Sequence, residues 1–202
     1  MSFGLPLSII AQQSEQEFTL GKDYQQLDSF NIDQIQNLSD LNNLYHVEIF
    51  YWYGCESCYQ VESSLNSYIK SHPQLKVKRT PLVARVNWRE QAYLQPLMEQ
   101  LSELENIPSH LEIYQQCLSD CQVFSQYESS LQWLTDKLDQ QQLPVIDLSL
   151  IWESEKIYKK RAEKFSISQV PTIIINEKYK VDANQAGTAR RLVEIVDFLL
   201  SQ

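Results

Sequence analysis

The most constraining feature of the chain is an apolar, aromatic run at residues 47–53 that leads through Gly54 into Cys55-Glu56-Ser57-Cys58. The run is rich in Val, Ile, Phe, Tyr and Trp, which favour β-strands. Beyond the first cysteine the apolar residues recur at helical spacing, at Cys58, Val61, Leu65, Tyr68 and Ile69. We therefore predict that the cysteine pair lies where a strand turns into a helix.

The predicted turn gives the two cysteines different roles. A sulfur at a helix N-terminus is stabilised as a thiolate, because the unpaired N–H groups and the helix dipole favour negative charge there. Two intervening residues allow the sulfurs to form a small disulfide, with Cys55 exposed and Cys58 behind it. In thiol–disulfide exchange we expect Cys55 to be the attacked and attacking sulfur, and Cys58 to be the leaving and resolving thiol.

Two plainer interpretations of the pair remain open. The pair could be half of a zinc site completed by Cys117 and Cys121, because four thiolates suit tetrahedral Zn²⁺. It could also be a purely structural disulfide. Structural zinc sites usually occupy short turns, whereas this pair follows an apolar strand and begins a helix, so we predict no metal site.

A second motif lies far downstream, where Val170-Pro171 opens a strand with three consecutive isoleucines at 173–175. Proline is tolerated at the first residue of a strand, and a cis X-Pro bond would leave the Val170 backbone free to face a neighbouring site. We expect Val170 and Pro171 to bind substrate backbone. Tyr59, next to the cysteines, could line the same groove, although such aromatic residues are more often core.

Taken together, these motifs resemble the thioredoxin fold and, more closely, the DsbA family of bacterial periplasmic disulfide oxidoreductases. The resemblance rests on Gly21-Lys22-Asp23-Tyr24, on Trp52-Tyr53-Gly54-Cys55 with Cys58-Tyr59, and on Val170-Pro171 with Asn176 and Lys178-Tyr179. It implies an α/β, thioredoxin-like fold with an inserted all-helical domain. The implied divisions are a leading segment at 1–13, a thioredoxin-like domain at 14–80 and 166–202, and a helical insertion at 81–165.

The same resemblance implies a function. It predicts a thiol:disulfide interchange protein that introduces or exchanges disulfides in exported, cysteine-containing proteins, with no cofactor and with a DsbB-like membrane redox partner. We expect a monomer in the periplasm. A disulfide reductase or isomerase is the alternative among enzymes, and a redox-inert binding module or chaperone is the alternative from another class.

The dipeptide between the cysteines departs from that family's usual Pro-His. A histidine there stabilises the thiolate by charge and hydrogen bond, which favours the reduced state and makes the protein a strong oxidant. Here Ser57 offers only a hydroxyl, and Glu56 adds a negative charge beside the nucleophile. An exposed like charge contributes only about 0.2–1 kcal/mol, and about 1.4 kcal/mol corresponds to about 30 mV. We therefore predict a weaker oxidant than a typical family member.

Glu48 departs from the family pattern in its position. Many members bury an acidic residue below the cysteines, and Glu48 precedes Cys55 by seven positions, one more than that pattern expects. Either a β-bulge returns the carboxylate to that place or the buried acid is lost.

Cys117 and Cys121, four positions apart, would face each other on a helix or across a helix end. A structural disulfide that staples two helices is our first expectation, because exposed thiols seldom stay free in an oxidising compartment. A second redox pair that relays electrons, or two reduced thiols in the core, remain open. The family resemblance offers no role for this pair.

Composition limits the partners. With 202 residues, 43% of them hydrophobic, the chain can bury a sizeable core. A net charge of −9 argues against nucleic-acid binding, which calls for clustered Lys and Arg. Residues 1–13 are apolar but too short to span a bilayer, and we interpret them as a signal peptide without its basic region or as a disordered tail.

Between the two motifs the apolar spacing changes to about 3.6 residues, which is typical of helices. The predicted helices lie at 87–101, after Pro108, at 131–138, at 146–165 and at 188–200. We expect the first of them to be kinked or divided at Pro96, and the last to be capped by Thr188. Upstream, we expect an edge strand at 18–24 and a short amphipathic turn with Ile32, Ile35 and Leu38.

Overall fold

The structure is a computed structural model that describes residues 18–27, 46–138 and 143–202. The signal peptide proposed for residues 1–13 and the amphipathic turn at Ile32, Ile35 and Leu38 lie outside this part of the chain. None of the helices in this part of the chain is long and apolar enough to cross a bilayer.

The described residues form an α/β fold, as predicted. The strands are β1 (Gln25–Gln26), β2 (Val47–Tyr51), β3 (Val77–Pro81), β4 (Thr172–Ile175) and β5 (Tyr179–Asp182). The helices are α1 (Glu56–Ser71), α2 (Val86–Ala92), α3 (Leu94–Gln100), α4 (His110–Asp120), α5 (Tyr127–Lys137), α6 (Leu148–Lys164), α7 (Ala183–Ala186) and α8 (Ala189–Leu200). A short 3₁₀ helix, Cys121–Phe124, follows α4 directly.

The strands form one sheet in the order β1-β5-β4-β2-β3. β2 pairs in parallel with β3 and antiparallel with β4, so it lies inside the sheet and is buried along its whole length. A parallel pair needs a crossover connection, and α1 provides it between β2 and β3. The sheet therefore places the end of β2, and the cysteines after it, between β3 and β4.

The two faces of the sheet bury different clusters. Alternate residues of a strand point to opposite faces, and Val47, Ile49 and Tyr51 belong to the larger cluster, which includes apolar residues of α1, α4 and α8. Phe50 belongs to a smaller cluster on the other face, where its ring lies 6.3 Å from that of Phe165 at the end of α6. α1, the helix that follows Cys55, therefore packs on the face of the sheet that carries the larger cluster.

Most predicted helices are present, with shifted ends. The long helix expected at 87–101 is divided at Tyr93 into α2 and α3, with Pro96 in the first turn of α3, where proline is tolerated. The Thr188 side chain caps α8 by accepting a hydrogen bond from Arg191 N–H, as expected. The edge strand is β1, which begins just after the predicted 18–24 range, and α7 was not predicted.

Candidate active site

Cys55 is the N-cap residue of α1. Its backbone is extended, and its sulfur accepts a hydrogen bond of 3.1 Å from the Cys58 N–H. The Cys55 N–H donates to the Trp52 carbonyl at 3.1 Å, which closes the turn between β2 and the helix. The predicted strand-to-helix turn is confirmed, and the first sulfur lies where helix N–H groups point and negative charge is favoured.

The two cysteines form a disulfide with Cα atoms 5.2 Å apart. Cys58 is 2% exposed, whereas Cys55 is only partly buried. A thiolate arriving from solvent can therefore reach the Cys55 sulfur and not that of Cys58. This asymmetry is the one that the sequence predicted for an attacked and a resolving sulfur.

Glu56 and Ser57, between the cysteines, are both exposed. The Ser57 hydroxyl lies 3.2 Å from the Cys55 sulfur, within hydrogen-bonding distance for sulfur. When Cys55 is a thiolate, this hydroxyl can donate to it. Ser57 thus supplies one neutral hydrogen-bond donor at the position where the DsbA family, which this sequence resembles, usually has a histidine.

The Val170–Pro171 peptide bond is cis. β4 pairs antiparallel with β2, and Thr172 lies opposite Phe50. Pro171, the residue before Thr172, therefore lies next to the end of β2 that leads to Cys55. Pro171 is buried and its carbonyl accepts from the Ala183 N–H at 3.2 Å, while Val170 is partly exposed. The register of the sheet therefore brings Val170-Pro171 to the same end of the strands as Cys55 and Cys58.

Tyr59 belongs to α1, is partly buried and contacts α4. Its hydroxyl accepts a 3.2 Å hydrogen bond from the Gln115 amide, and its ring centroid is 6.2 Å from that of Tyr114. The side chain therefore joins the active-site helix to the helical region and leaves part of its ring open to solvent.

A buried ion pair that the sequence analysis missed lies one helical turn from Cys58. Glu62 of α1 is 4% exposed and accepts hydrogen bonds from the Arg79 guanidinium of β3, at 2.7 Å from Nη2 and at 3.1 and 3.2 Å from Nε. Burial acts to lower the pKa of Arg79, but the Glu62 carboxylate outweighs it and the pKa is raised. The available signal was an acidic residue within the apolar stripe of Cys58, Val61 and Leu65.

A second polar network joins Tyr51 and Tyr53 to α3 and α4. The Tyr53 hydroxyl lies 2.7 Å from His110 Nδ1 and 3.3 Å from the Tyr51 hydroxyl, which donates to the Gln95 amide oxygen at 2.9 Å. Burial raises the pKa of Tyr53 above its usual range. Burial and the Arg79 charge lower the pKa of His110 to about 3. Both side chains are therefore neutral near pH 7.

Glu48 lies on the opposite face of the sheet from this network. It is 2% exposed, accepts a 2.6 Å hydrogen bond from the Thr80 hydroxyl and forms an ion pair with Arg161 of α6. The pairing of β2 with both neighbours is continuous, so no bulge returns it to the cysteine side. Of the two open alternatives, the loss of this acid from beneath the cysteines is the one observed.

A groove of about 780 Å³ opens at Gly54, the residue before Cys55, and we call it the active-site groove; Cys55 and Cys58 are not among the residues that line it. Its lining includes Trp52, Gly54, Glu90, Gln91, Cys117 and Cys121. The Trp52 indole stacks on that of Trp88, with centroids 4.6 Å apart. A side chain at Gly54 would place its Cβ 2.4 Å from Trp52 Cζ2, so only glycine leaves room for this stacking.

Cys117 and Cys121 form a second disulfide. The pair joins the last turn of α4 to the 3₁₀ helix Cys121–Phe124 that follows it, so it spans one helix end. Each sulfur has a cysteine partner, and no group of three or more His, Cys, Asp or Glu side chains in residues 18–27, 46–138 and 143–202 could hold a metal ion.

Comparisons with known proteins point in one direction. No protein-family model matches the chain. It is 28% identical over 161 residues to the thiol:disulfide interchange protein DsbA of Azotobacter vinelandii, which covers 77% of this chain and 73% of that relative.

Solved structures share the fold. A crystal structure of a DsbA point variant from Pseudomonas aeruginosa superposes with a TM-score of 0.70, at 20% identity, over 92% of this chain and 97% of that one. A Proteus mirabilis DsbA with a non-covalently bound peptide PWATCDS gives 0.64, at 14% identity, over 92% and 100% of the two chains. The chain is thus similar in sequence to DsbA thiol:disulfide interchange proteins, and it shares the fold of the solved DsbA structures.

Proposed function

We propose that the chain is a thiol:disulfide oxidoreductase that exchanges disulfides with cysteine-containing exported proteins through Cys55 and Cys58. The observation that carries the proposal is the position of Cys55. It is the accessible sulfur of the pair, it caps α1, and it accepts a hydrogen bond from the Cys58 N–H. A sulfur so placed is a good electrophile when oxidised and a stabilised thiolate when reduced.

The exchange proceeds in two displacements. A client thiolate attacks the Cys55 sulfur, the bond between Cys55 and Cys58 breaks, and Cys58 leaves as a thiolate that takes up a proton. A second client thiolate then attacks the client sulfur of the mixed disulfide, which forms the client disulfide and releases Cys55 as a thiolate. Two electrons pass from the two client thiolates to the cysteine pair.

Two groups of this chain lie within hydrogen-bonding distance of the Cys55 sulfur and can stabilise its thiolate. The Cys58 N–H lies 3.1 Å from the sulfur and the Ser57 hydroxyl 3.2 Å from it. Hydrogen bonds to a charged group are stronger than neutral ones, but Ser57 is exposed and carries no charge. We infer that the reduced state is stabilised less than by a histidine, so the protein is a weaker oxidant than a Pro-His family member.

We assign client binding to the loop at Val170 and Pro171, with Tyr59 at the rim. One support is the register of β2 and β4, which brings the loop to the end of β2 that leads to Cys55. The other is the partial exposure of Val170 and Tyr59. A related protein of the same fold holds a cysteine-containing peptide. The division into residues 14–80 and 166–202, with a helical insertion at 81–165, belongs to the same proposal.

The cellular setting follows from the same assignment. We propose that the protein works in the periplasm as a monomer, that residues 1–13 direct its export, and that a DsbB-like membrane protein reoxidises the Cys55–Cys58 pair. Neither nucleic acid nor a cofactor takes part in this cycle.

A reductase or isomerase is the second candidate, and the specific observation in its favour is the exposed Glu56-Ser57 dipeptide, which provides a single neutral donor to Cys55. The reduction potential separates the two candidates. A potential toward the oxidising end of the thioredoxin superfamily supports disulfide donation, and one near that of thioredoxin supports reduction or isomerisation.

The test of the proposed chemistry compares the wild-type protein with Cys55→Ser and Cys58→Ser in oxidation of a dithiol peptide and in reduction of insulin. We expect Cys55→Ser to abolish both activities. Cys58→Ser should accumulate a mixed disulfide between Cys55 and insulin, because its Cys55 thiolate attacks an insulin disulfide, one insulin sulfur leaves as a thiolate, and the resolving thiol is absent. Full peptide binding by Cys55→Ser together with an inactive wild-type protein would instead indicate a redox-inert binding module.

A further inference from the structure

The Cys117–Cys121 disulfide opens onto the active-site groove. Both cysteines line this groove together with Trp52 and Gly54, and Gly54 immediately precedes Cys55. A thiol that enters the groove therefore meets the Cys117–Cys121 disulfide. We propose that Cys117–Cys121 is a second redox-active pair, which exchanges with thiols bound in the groove independently of Cys55 and Cys58.

The second disulfide holds little of the fold together. It joins residues only four apart, and a disulfide constrains the unfolded chain least when the loop it closes is short. Other contacts already fix this region. Ile113 and Tyr114 of α4 are buried, and Phe124 at the end of the 3₁₀ helix is fully buried with its ring 5.1 Å from that of Trp133. Reduction of the pair therefore does not require α4 to unfold.

Cys117 and Cys121 differ in solvent exposure, as Cys58 and Cys55 do. Cys117 is 4% exposed, whereas Cys121 is partly exposed and stands at the start of the 3₁₀ helix. An incoming thiolate can reach the Cys121 sulfur, with Cys117 as the leaving group. Such an asymmetry defines which sulfur is attacked in thiol–disulfide exchange.

A neighbouring group is ready to accept the proton of the reduced form. The amide oxygen of Gln91, a buried residue of α2, lies 3.8 Å from the Cys117 sulfur. A disulfide sulfur carries no hydrogen and cannot use this acceptor, but a Cys117 thiol can donate to it. The contact therefore stabilises the reduced pair relative to the disulfide, so the disulfide is easier to reduce.

The exchange balances as two displacements. A thiolate RS⁻ attacks the Cys121 sulfur, the bond between Cys121 and Cys117 breaks, and Cys117 leaves as a thiolate that takes up a proton. A second RS⁻ attacks the R sulfur of the mixed disulfide, which releases Cys121 and forms RSSR. Two electrons pass from the two thiolates to the pair, and the reverse sequence with RSSR restores the disulfide.

The experiment uses the full chain with Cys55→Ser and Cys58→Ser, in which the first pair is absent. This variant is equilibrated with reduced and oxidised glutathione over a range of ratios. The remaining thiols are alkylated and counted by mass spectrometry, and circular dichroism monitors the fold. We expect the reduced fraction of Cys117–Cys121 to follow the glutathione ratio while the spectrum stays unchanged. A pair that stays oxidised until denaturant is added would overturn the proposal.

A second measurement tests the assigned direction of attack. In the same background, Cys117→Ser leaves Cys121 alone and Cys121→Ser leaves Cys117 alone. We expect Cys121 to form its mixed disulfide with oxidised glutathione at least about tenfold faster than Cys117, because Cys121 is partly exposed whereas Cys117 is only 4% exposed. Equal rates, or faster reaction of Cys117, would refute the assignment. Both outcomes are independent of whether Cys55 and Cys58 exchange disulfides with clients.

Discussion

Glu62 and Arg79 form a two-pronged ion pair one helical turn from the resolving cysteine, and the pair joins the active-site helix to the neighbouring strand. The side chains are 5% and 20% exposed respectively. Breaking such a pair leaves a charge without its partner where water reaches it poorly. The ion pair therefore bears on the stability of the helix that positions the cysteines.

Glu62→Gln should lower the free energy of unfolding of the oxidised protein by about 3 kcal/mol, at the low end for buried pairs because Arg79 keeps some contact with solvent. Urea denaturation followed by circular dichroism measures this change. The matched control is Glu194→Gln, which removes the exposed pair with Arg190 on α8 and should cost no more than about 0.5 kcal/mol. Equal losses for the two variants would contradict a special role for the buried pair.

Position 57 should tune the reduction potential in both directions. Ser57→His places a cationic donor beside Cys55, which stabilises the thiolate and makes the protein more oxidising by tens of millivolts, on the order of 30 mV for about 1.4 kcal/mol. Ser57→Ala removes the hydroxyl and should shift the potential the other way by roughly 15 mV. Glutathione equilibration measures both potentials. Ser63→Ala, an exposed serine elsewhere on α1, should leave the potential unchanged.

Two shifts of the same sign at position 57 would show that the hydroxyl does not act on the thiolate. The Cys55 pKa gives a parallel readout, since the ultraviolet absorbance of the thiolate can be followed against pH in each reduced variant. We expect the pKa to fall in Ser57→His and to rise in Ser57→Ala.

His110 should make stability depend on pH. Burial and the nearby Arg79 charge lower its pKa from 6.5 to about 3 in the folded protein. The unfolded chain therefore binds this proton more readily, so the contribution is fully present above pH 6.5 and is lost as the pH falls toward 3. Between pH 7 and pH 5 we expect a loss of about 1–2 kcal/mol in the free energy of unfolding. Urea melts at both pH values should show a smaller loss in His110→Gln, and an unchanged loss would contradict this assignment.

Gly54→Ala should disturb the active-site turn. The added Cβ would lie 2.4 Å from Trp52 Cζ2, so the indole must move off the Trp88 ring on which it stacks. Overpacking of this kind costs about 1–3 kcal/mol, and we expect a change in tryptophan fluorescence together with slower peptide oxidation. Gly187→Ala is the comparison variant, because Gly187 has open space around it but a positive φ of 74°. This variant should destabilise the protein without changing the oxidation rate. Unchanged fluorescence in Gly54→Ala would contradict the stacking argument.

The segment from β2 into α1 was predictable because its determinants are local. A β-favouring run, a glycine, a cysteine able to cap a helix and apolar residues at helical spacing all lie within about 20 consecutive positions. The cis Val170–Pro171 bond was open to prediction for the same reason, since proline restricts its own backbone. The division of the helix at 87–101 also follows from a single local residue, Pro96, which fits the first turn of α3 better than a helix interior.

Tertiary structure alone decided which side chains meet across these elements. The sequence by itself determined the strand, the cysteine pair and its helix, but strand register turned Glu48 away from the cysteines toward Arg161, while helix packing brought Glu62 to Arg79. Likewise, spacing predicted that Cys117 and Cys121 could pair, and only the packing of α4 beside the turn at Gly54 placed them in the active-site groove. Local backbone preference depends on neighbours in the chain. The two ion pairs join residues 17 and 113 positions apart, so they depend on how whole elements pack.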